Sequence, residues 1–408
     1  MRASRAFPDR LQGLAGDAAI VLAVSLALIL GLEFLLRLLA PQELAGTKLK
    51  GAHFSRPDSA LGMRYIPGAI WRFTHPEYSV VYSINSDGFR DAHQRPLQKP
   101  VGTLRVLLLG DSFTFGQGVD YEQTWPVLAE RELERLGLKV DLVKAGMQGL
   151  DTRSELILLR SLIERYDADA VVVGFLINDL YTNIPFAPDS ETKTAPPELK
   201  AVQRSVFQRS GRAHFHLLTL ARRIASATDA GYIALYLAAP GRGEYLRLPL
   251  SERPRRQLEI TDTLLSQMAA YCDSLGKPLV IFSMPQQFQV MYARKGRRDQ
   301  GVDVAYYDRH FARLAQASGF DWIPALEPLV KAEKGSGQDL FYRLDGHFTP
   351  AGNAVAAEVF TEQVIPIILA RTKPGGGVSA QGPESEDGIN EGRKRRPLGK
   401  YQQGTYHK

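Results

Sequence analysis

The segment over residues 104–116, LRVLLLGDSFTFG, constrains the fold of this chain more than any other. Apolar residues fill 104–109, broken only by Arg105, and stop at Gly110-Asp111-Ser112. Such a run, closed by a turn, reads as a parallel strand buried on both faces. Open α/β sheets place their chemistry at the carboxyl ends of strands, so Ser112 stands where a nucleophile would be presented. A serine in that role needs a base, an orienting acid and donors for an oxyanion. Later segments must therefore return to the same sheet edge.

The rest of the chain alternates as that requirement demands. A helix is expected over 124–136, with Thr124 as N-cap and Gly137 as its stop. A strand over 140–143, a helix over 152–165 and an apolar strand over 170–177 follow. Further on come a helix over 256–275, a strand over 278–284, a helix over 306–318, a short strand over 321–323 and a helix over 350–369. Strands alternating with helices argue for a doubly wound parallel sheet covered on both faces. With 408 residues, 44% of them hydrophobic, the chain can build one large domain with appendages.

The appendages differ in composition. Residues 18–40 are almost wholly apolar and would make a helix about 34 Å long, enough for a bilayer core of about 30 Å. Glu33 and Arg37 interrupt this stretch one helical turn apart and can pair. We read 1–17 as a cytoplasmic amino terminus, 18–40 as an uncleaved membrane anchor and the remainder as extracytoplasmic, because Arg2, Arg5 and Arg10 precede the span. A cleaved signal peptide and a buried soluble helix are the alternatives. Residues 41–100 read as a small β-rich collar, with a strand over 80–85 and a turn at Ser86-Asp87-Gly88. The main domain occupies 101–371 and contains an insertion over 180–255. That insertion is polar and proline-containing at first and then offers one helix over 215–226; it is a lid or a peripheral ornament. Residues 372–408 read as a disordered tail.

Net charge is +6, with much of the excess in the first ten residues and in Arg393-Lys394-Arg395-Arg396. No zinc-finger spacing and no basic helix with interleaved aromatics accompany it, so nucleic acid is not an expected partner. The single cysteine, Cys272, excludes an intrachain disulfide and a cysteine metal cluster, and reads as a small buried hydrophobe on a helix. No metal or cofactor is expected.

Three further blocks supply what Ser112 needs. Residues 144–152, KAGMQGLDT, lie between a strand and a helix, where glycine backbone N–H groups can approach a ligand closely. Asn178 ends the third strand at the edge that carries Ser112, and its side-chain amide can donate. His347, in LDGHFTPAGN over 344–353, is the candidate base, just before a helix that starts at Pro350. Asp345 is the candidate acid that orients it. Taken alone, each block also fits an ordinary turn.

In chain order, the four blocks resemble the SGNH hydrolases, the GDSL-like serine esterases, over about 104–370 outside the insertion. The resemblance implies a flavodoxin-like three-layer α/β/α sandwich with a parallel sheet, the SGNH hydrolase fold, here with an N-terminal transmembrane helix. It also implies a Ser112–His347–Asp345 triad and an oxyanion hole made by the N–H of Ser112, the N–H of Gly149 and the side chain of Asn178. Two positions depart from the pattern. Leu176 replaces a glycine before Asn178, and Asp345 stands two residues before His347 instead of three. The shorter spacing is similar to that of relatives that acetylate exported polysaccharides. The segment NSDGFRD over 85–91 is similar to the lead-in of membrane-anchored bacterial members. The expected partners are an acylated carbohydrate or small ester and, through the N-terminal helix, the membrane. The expected function is hydrolysis of O-acyl esters, O-acetyl first among them, on a cell-envelope carbohydrate. The alternatives are an O-acetyltransferase using the same residues and a non-catalytic carbohydrate-binding or assembly protein on the same scaffold.

Overall fold

The computed structural model describes residues 6–42, 54–183, 215–239 and 241–372. The basic run at 393–396, the tail from 373, the start of the collar and the proline-containing part of the insertion lie outside these residues.

Nine strands are described: β1 (Ser55–Asp58), β2 (Gly62–Tyr65), β3 (Ile70–His75), β4 (Tyr78–Ser83), β5 (Leu104–Gly110), β6 (Val140–Lys144), β7 (Ala170–Leu176), β8 (Leu279–Met284) and β9 (Asp321–Pro324). The last five form one parallel sheet in the order β6-β5-β7-β8-β9. The order reverses between β5 and β7, the switch point at which doubly wound sheets bind ligands. Alternate side chains of each strand enter two apolar layers. Leu107, Leu109, Val171, Val173 and Ile281 face one side, with helices Thr152–Leu162, Glu252–Ser274 and Tyr306–Ser318. Val106, Leu108, Val172, Val280 and Phe282 face the other, with helices Trp125–Arg135, Leu326–Ser336 and Pro350–Val359. The α/β/α sandwich is thus the expected one.

Arg105, the charge inside β5, is fully buried. Its Nε donates to Asp141 at 2.8 Å, and one terminal nitrogen donates to the carbonyls of Leu97 and Tyr166. A cation with three acceptors is tolerated where an unpaired one would not be.

Several local expectations shift. Thr124 does precede its helix, but its hydroxyl donates to the Tyr121 carbonyl and accepts no capping bond from the helix. The strand expected over 80–85 is β4, two residues earlier, and pairs with β3; β1 pairs with β2 in a separate hairpin. The insertion holds a second helix, Asp229–Ala238, after His216–Ser226. Its run of small residues conceals helical periodicity, although Thr228 caps it by accepting from the Gly231 N–H. Helices Gln287–Arg294 and Leu326–Ser336 were not expected. The first is capped by glutamines, Gln286 and Gln289, and the second carries Pro328 in its first turn, where the missing N–H costs no helical bond.

The amino-terminal helix runs Ala6–Leu39, and its portion Asp17–Leu39 is long and apolar enough to cross a membrane. Pro350–Arg371 passes the same length and composition test, but half of it is buried in the sandwich. Cys272 is buried in its helix, and burial pushes its thiol up to about 12.

Candidate active site

Ser112 opens a single helical turn, Ser112–Phe115, directly after β5. Asp111 caps that turn through Oδ1, which accepts from the Phe113 N–H at 2.9 Å. The turn lies against the β6 exit: a Cβ on Gly146 would sit 2.7 Å from the Phe115 nitrogen, so only glycine admits this approach. Close packing in the second block therefore falls on Gly146. Gly149 has a different constraint, a φ of +77°.

The His347 loop meets the serine from the far end of the sequence. His347 Nε2 lies 2.7 Å from Ser112 Oγ, and Nδ1 lies 2.6 Å from Asp345 Oδ2. With Nδ1 protonated toward the carboxylate, Nε2 is left to accept the serine proton. Phe113 packs on the imidazole with centroids 4.9 Å apart. The short Asp-x-His spacing closes because Gly346 adopts φ +82° inside a turn in which the Gly346 N–H donates to the Tyr342 carbonyl at 2.8 Å. The structure thus brings Ser112, His347 and Asp345 into one hydrogen-bonded series.

Burial works to raise the Asp345 carboxyl, but the adjoining imidazole and the Tyr78 hydroxyl hold it below its ordinary value. For His347, burial works to lower the ring. The Asp345 carboxylate outweighs burial, with help from Asp111, and leaves the imidazole above its ordinary value.

The expected oxyanion donors are the N–H groups of Ser112 and Gly149 and the Asn178 side chain. The N–H groups of Ser112 and Gly149 have no protein acceptor among the described residues. Asn178 follows β7, and its Nδ2 donates to Asp111 Oδ2 at 3.2 Å; the second amide hydrogen is not used in that bond. Leu176 does not displace the strand end: it pairs in register with Met284 and is 1% exposed within an apolar layer.

Behind Asp111 lies a group of acids not foreseen as such. Asp151 caps helix Thr152–Leu162 by accepting from the Ser154 N–H at 2.9 Å. Glu155 and Asp179 are fully buried, and no oxygen of either carboxyl has a hydrogen-bond partner among the described residues. Burial pushes both far above the usual carboxylate range, and the neighbouring acids push the same way. Burial thus favours the protonated form of both.

Residues of the amino-terminal hairpins complete the site. Glu77, in the β3–β4 turn, accepts from the N–H groups of Leu344 and Asp345, each at 2.9 Å. Gln117 Nε2 donates to Asp345 Oδ1 at 3.4 Å, Gln148 Nε2 donates to Gln117 Oε1 at 2.8 Å, and the Tyr65 hydroxyl donates to Gln148 Oε1 at 2.9 Å. Arg90, from the 85–91 segment, is buried and donates to the carbonyls of Phe115, Gly116 and Val119 behind the serine turn. Lys144 is spent on an ion pair with Glu130 at 2.6 Å. Sequence spacing gave no sign of Glu77, whose contacts join residues more than 260 positions apart.

Comparison with known proteins bears on the same segment. No curated protein matches the chain in sequence. Similar solved structures include a variant of Axe2, an acetyl-xylooligosaccharide esterase from Geobacillus Stearmophilus, at 12% identity over 65% of this chain and 96% of that one, with a TM-score of 0.38. Others are the psychrotrophic esterase EstA from Pseudoalteromonas sp. (10%, 65% and 98%, 0.34) and the lipase/acylhydrolase from Enterococcus faecalis (17%, 67% and 100%, 0.33). The model of the GDSL-like lipase/acylhydrolase family matches residues 108–355. Because that match runs from the end of β5 through the His347 loop and takes in well over half of the sequence, the chain belongs to the GDSL-like lipase/acylhydrolase family and is an esterase-type hydrolase.

Proposed function

We propose that this protein is a membrane-anchored serine esterase that removes O-acetyl groups from a cell-envelope carbohydrate. The observation that carries the chemistry is the series Ser112 Oγ–His347 Nε2, His347 Nδ1–Asp345 Oδ2, at 2.7 and 2.6 Å. Ser112 attacks the ester carbonyl while His347 takes its proton. Negative charge gathers on the carbonyl oxygen, where the N–H groups of Ser112 and Gly149 and the Asn178 amide are available as donors. Collapse of the intermediate breaks the bond between the acyl carbon and the sugar oxygen, which takes the proton from His347 and departs as the hydroxyl, leaving an acetyl-serine. Water, deprotonated by His347, then releases acetate and restores Ser112. Asp345 holds the ring in the required tautomer and balances its transient charge.

The substrate class is supported by the resemblance of the 85–91 segment and of the Asp-x-His spacing to membrane-anchored and polysaccharide-acetylating relatives, and by the membrane setting. Residues 18–40 form the anchor, 41–100 a collar that reaches the catalytic loop through Glu77, and 101–371 the hydrolase domain. The amino-terminal charges favour a domain on the extracytoplasmic side. The resemblance of the Asp-x-His spacing to that of relatives that acetylate exported polysaccharides favours one second reading: the same acetyl-serine is passed to a sugar hydroxyl, which makes the protein an O-acetyltransferase.

The test is hydrolysis of p-nitrophenyl acetate by the full chain in detergent, with Ser112→Ala beside it. The expected result is a loss of about 10³-fold or more in the variant. Equal turnover in both proteins would remove Ser112 from the mechanism. Turnover that rises only when an acetyl-accepting oligosaccharide is added would favour the transferase.

A further inference from the structure

The amino-terminal helix meets the rest of the protein at a polar point. Glu33 is 5% exposed, whereas most other described positions of Asp17–Leu39 are open. Its carboxylate accepts from the N–H groups of His216 and Leu217 at 2.9 and 2.8 Å, and from Arg37 Nε at 2.8 Å. These two amides open helix His216–Ser226, so Glu33 serves as the N-terminal cap of a helix in the insertion. The Gln42 N–H donates to His216 Nδ1 at 2.8 Å, and Arg223 donates to Gln42 Oε1 at 3.0 Å, which closes the junction from the other side.

The helix held in this way is amphipathic, and none of its residues is buried. Leu217, Leu218, Ala221, Ile224 and Ala225 recur at one to four positions and form a single apolar stripe. Leu218 is 50% exposed and Ile224 65%, and Phe215 at the helix entry is 56% exposed. Arg222 borders the stripe. An apolar stripe open to water is unfavourable in a soluble protein and ordinary at a bilayer surface.

We infer that helix His216–Ser226 lies in the lipid interface beside the anchor, with its apolar stripe in the acyl boundary of an anionic bilayer and Arg222 among the headgroups. The inference rests on the membrane-anchored reading above. Depth supports lipid over any other occupant. Glu33 is six residues before Leu39, so the junction lies about 9 Å below the end of the apolar span at about 1.5 Å per residue. Interfacial helices sit about 5–10 Å into the same boundary. A partner protein would need to reach that depth beside the anchor.

The contact also continues to the catalytic loop. Arg343 Nε donates to the Ser226 carbonyl at 2.7 Å, and its Nη1 pairs with Asp229 at 3.0 Å. Arg343 stands two residues before Asp345. The interfacial helix would therefore fix the His347 loop relative to the bilayer, which suits a substrate presented near the membrane surface.

The test places a nitroxide label at Leu218→Cys or Ile224→Cys in the full chain carrying Cys272→Ala. Val101→Cys, at a position 98% exposed, provides the aqueous reference. The protein is reconstituted in nanodiscs of phosphatidylglycerol and phosphatidylethanolamine. Labels at 218 and 224 should show an oxygen-to-nickel accessibility ratio about tenfold above that at 101, as expected for acyl-chain immersion. Adding Glu33→Ala should lower the ratio at both sites toward the reference. Ratios equal to that of 101, in a chain that stays in the membrane through a carbonate wash, would overturn the interfacial helix alone. Release of the chain by that wash would overturn the anchor reading as well. Exclusion of both oxygen and nickel would mean that protein covers the stripe, which would also overturn the inference.

Discussion

Two groups of carboxylic acids flank Ser112, and they are treated in opposite ways. Asp345 is met by His347, Gln117 and Tyr78, and its backbone is held by Glu77. Partners outweigh its burial, so it remains an anion. Glu155 and Asp179 are buried more deeply, their oxygens have no hydrogen-bond partner among the described residues, and burial pushes both carboxyls up. Carboxyl groups are thus pushed toward the charged form at Asp345 and toward the protonated form at Glu155 and Asp179. Local donors decide which, because an unpaired buried charge is too costly to keep.

Removing the charge on the partnered side should have the largest effect. Asp345→Asn should lower kcat by about 10²–10⁴-fold, since the imidazole loses both its orientation and its counter-charge. The pH profile should move with it. The base must be neutral, so kcat/KM rises with pH through the His347 titration, which lies above the ordinary histidine value in the wild type. Without the Asp345 carboxylate, the acid limb should move to lower pH. A limb that stays in place would separate Asp345 from His347.

The support of that loop should matter less. Glu77→Ala should reduce kcat by about tenfold with little change in KM, because a small misplacement of reacting groups is costly. Glu77→Gln retains an oxygen for the two N–H groups and should recover most of the loss. If both variants lose activity equally, or only KM changes, Glu77 does not position the loop.

On the unpartnered side, the effect should appear in stability. A carboxyl with a raised folded-state pKa binds a proton in the native state that the unfolded chain releases, so its contribution is full below the ordinary carboxylate range and declines as pH rises. Glu155→Gln is neutral at every pH. It should therefore be more stable than the wild type at pH 8 by about 1–3 kcal/mol, with the gap closing toward pH 4.5. Thermal unfolding at the two pH values measures it; a gap independent of pH would mean that Glu155 is not protonated in the folded protein.

The difference between the two acid groups also marks what could be read in advance. Ser112, Gly149, Asn178, Asp345 and His347 sit in short blocks whose local rules are visible: a strand run, a turn, a helix start. Leu176 departs from the family pattern, and a single sequence does not show that its side chain enters the apolar layer while the β7–β8 register continues. The need for glycine at Gly146 is not legible in the sequence, since a close backbone approach is a property of two segments together.

The sequence by itself determined the alternation of strands and helices, the order of the blocks along one sheet edge and the apolar length of the amino-terminal helix. Those depend on periodicity and on the nearest few residues. Tertiary structure alone decided which acids are pushed up and which held down, that Glu77 holds a loop far away in sequence and that Glu33 caps a helix of the insertion. Hydrogen-bond partners and burial arise from segments brought together by folding, and no local pattern records them.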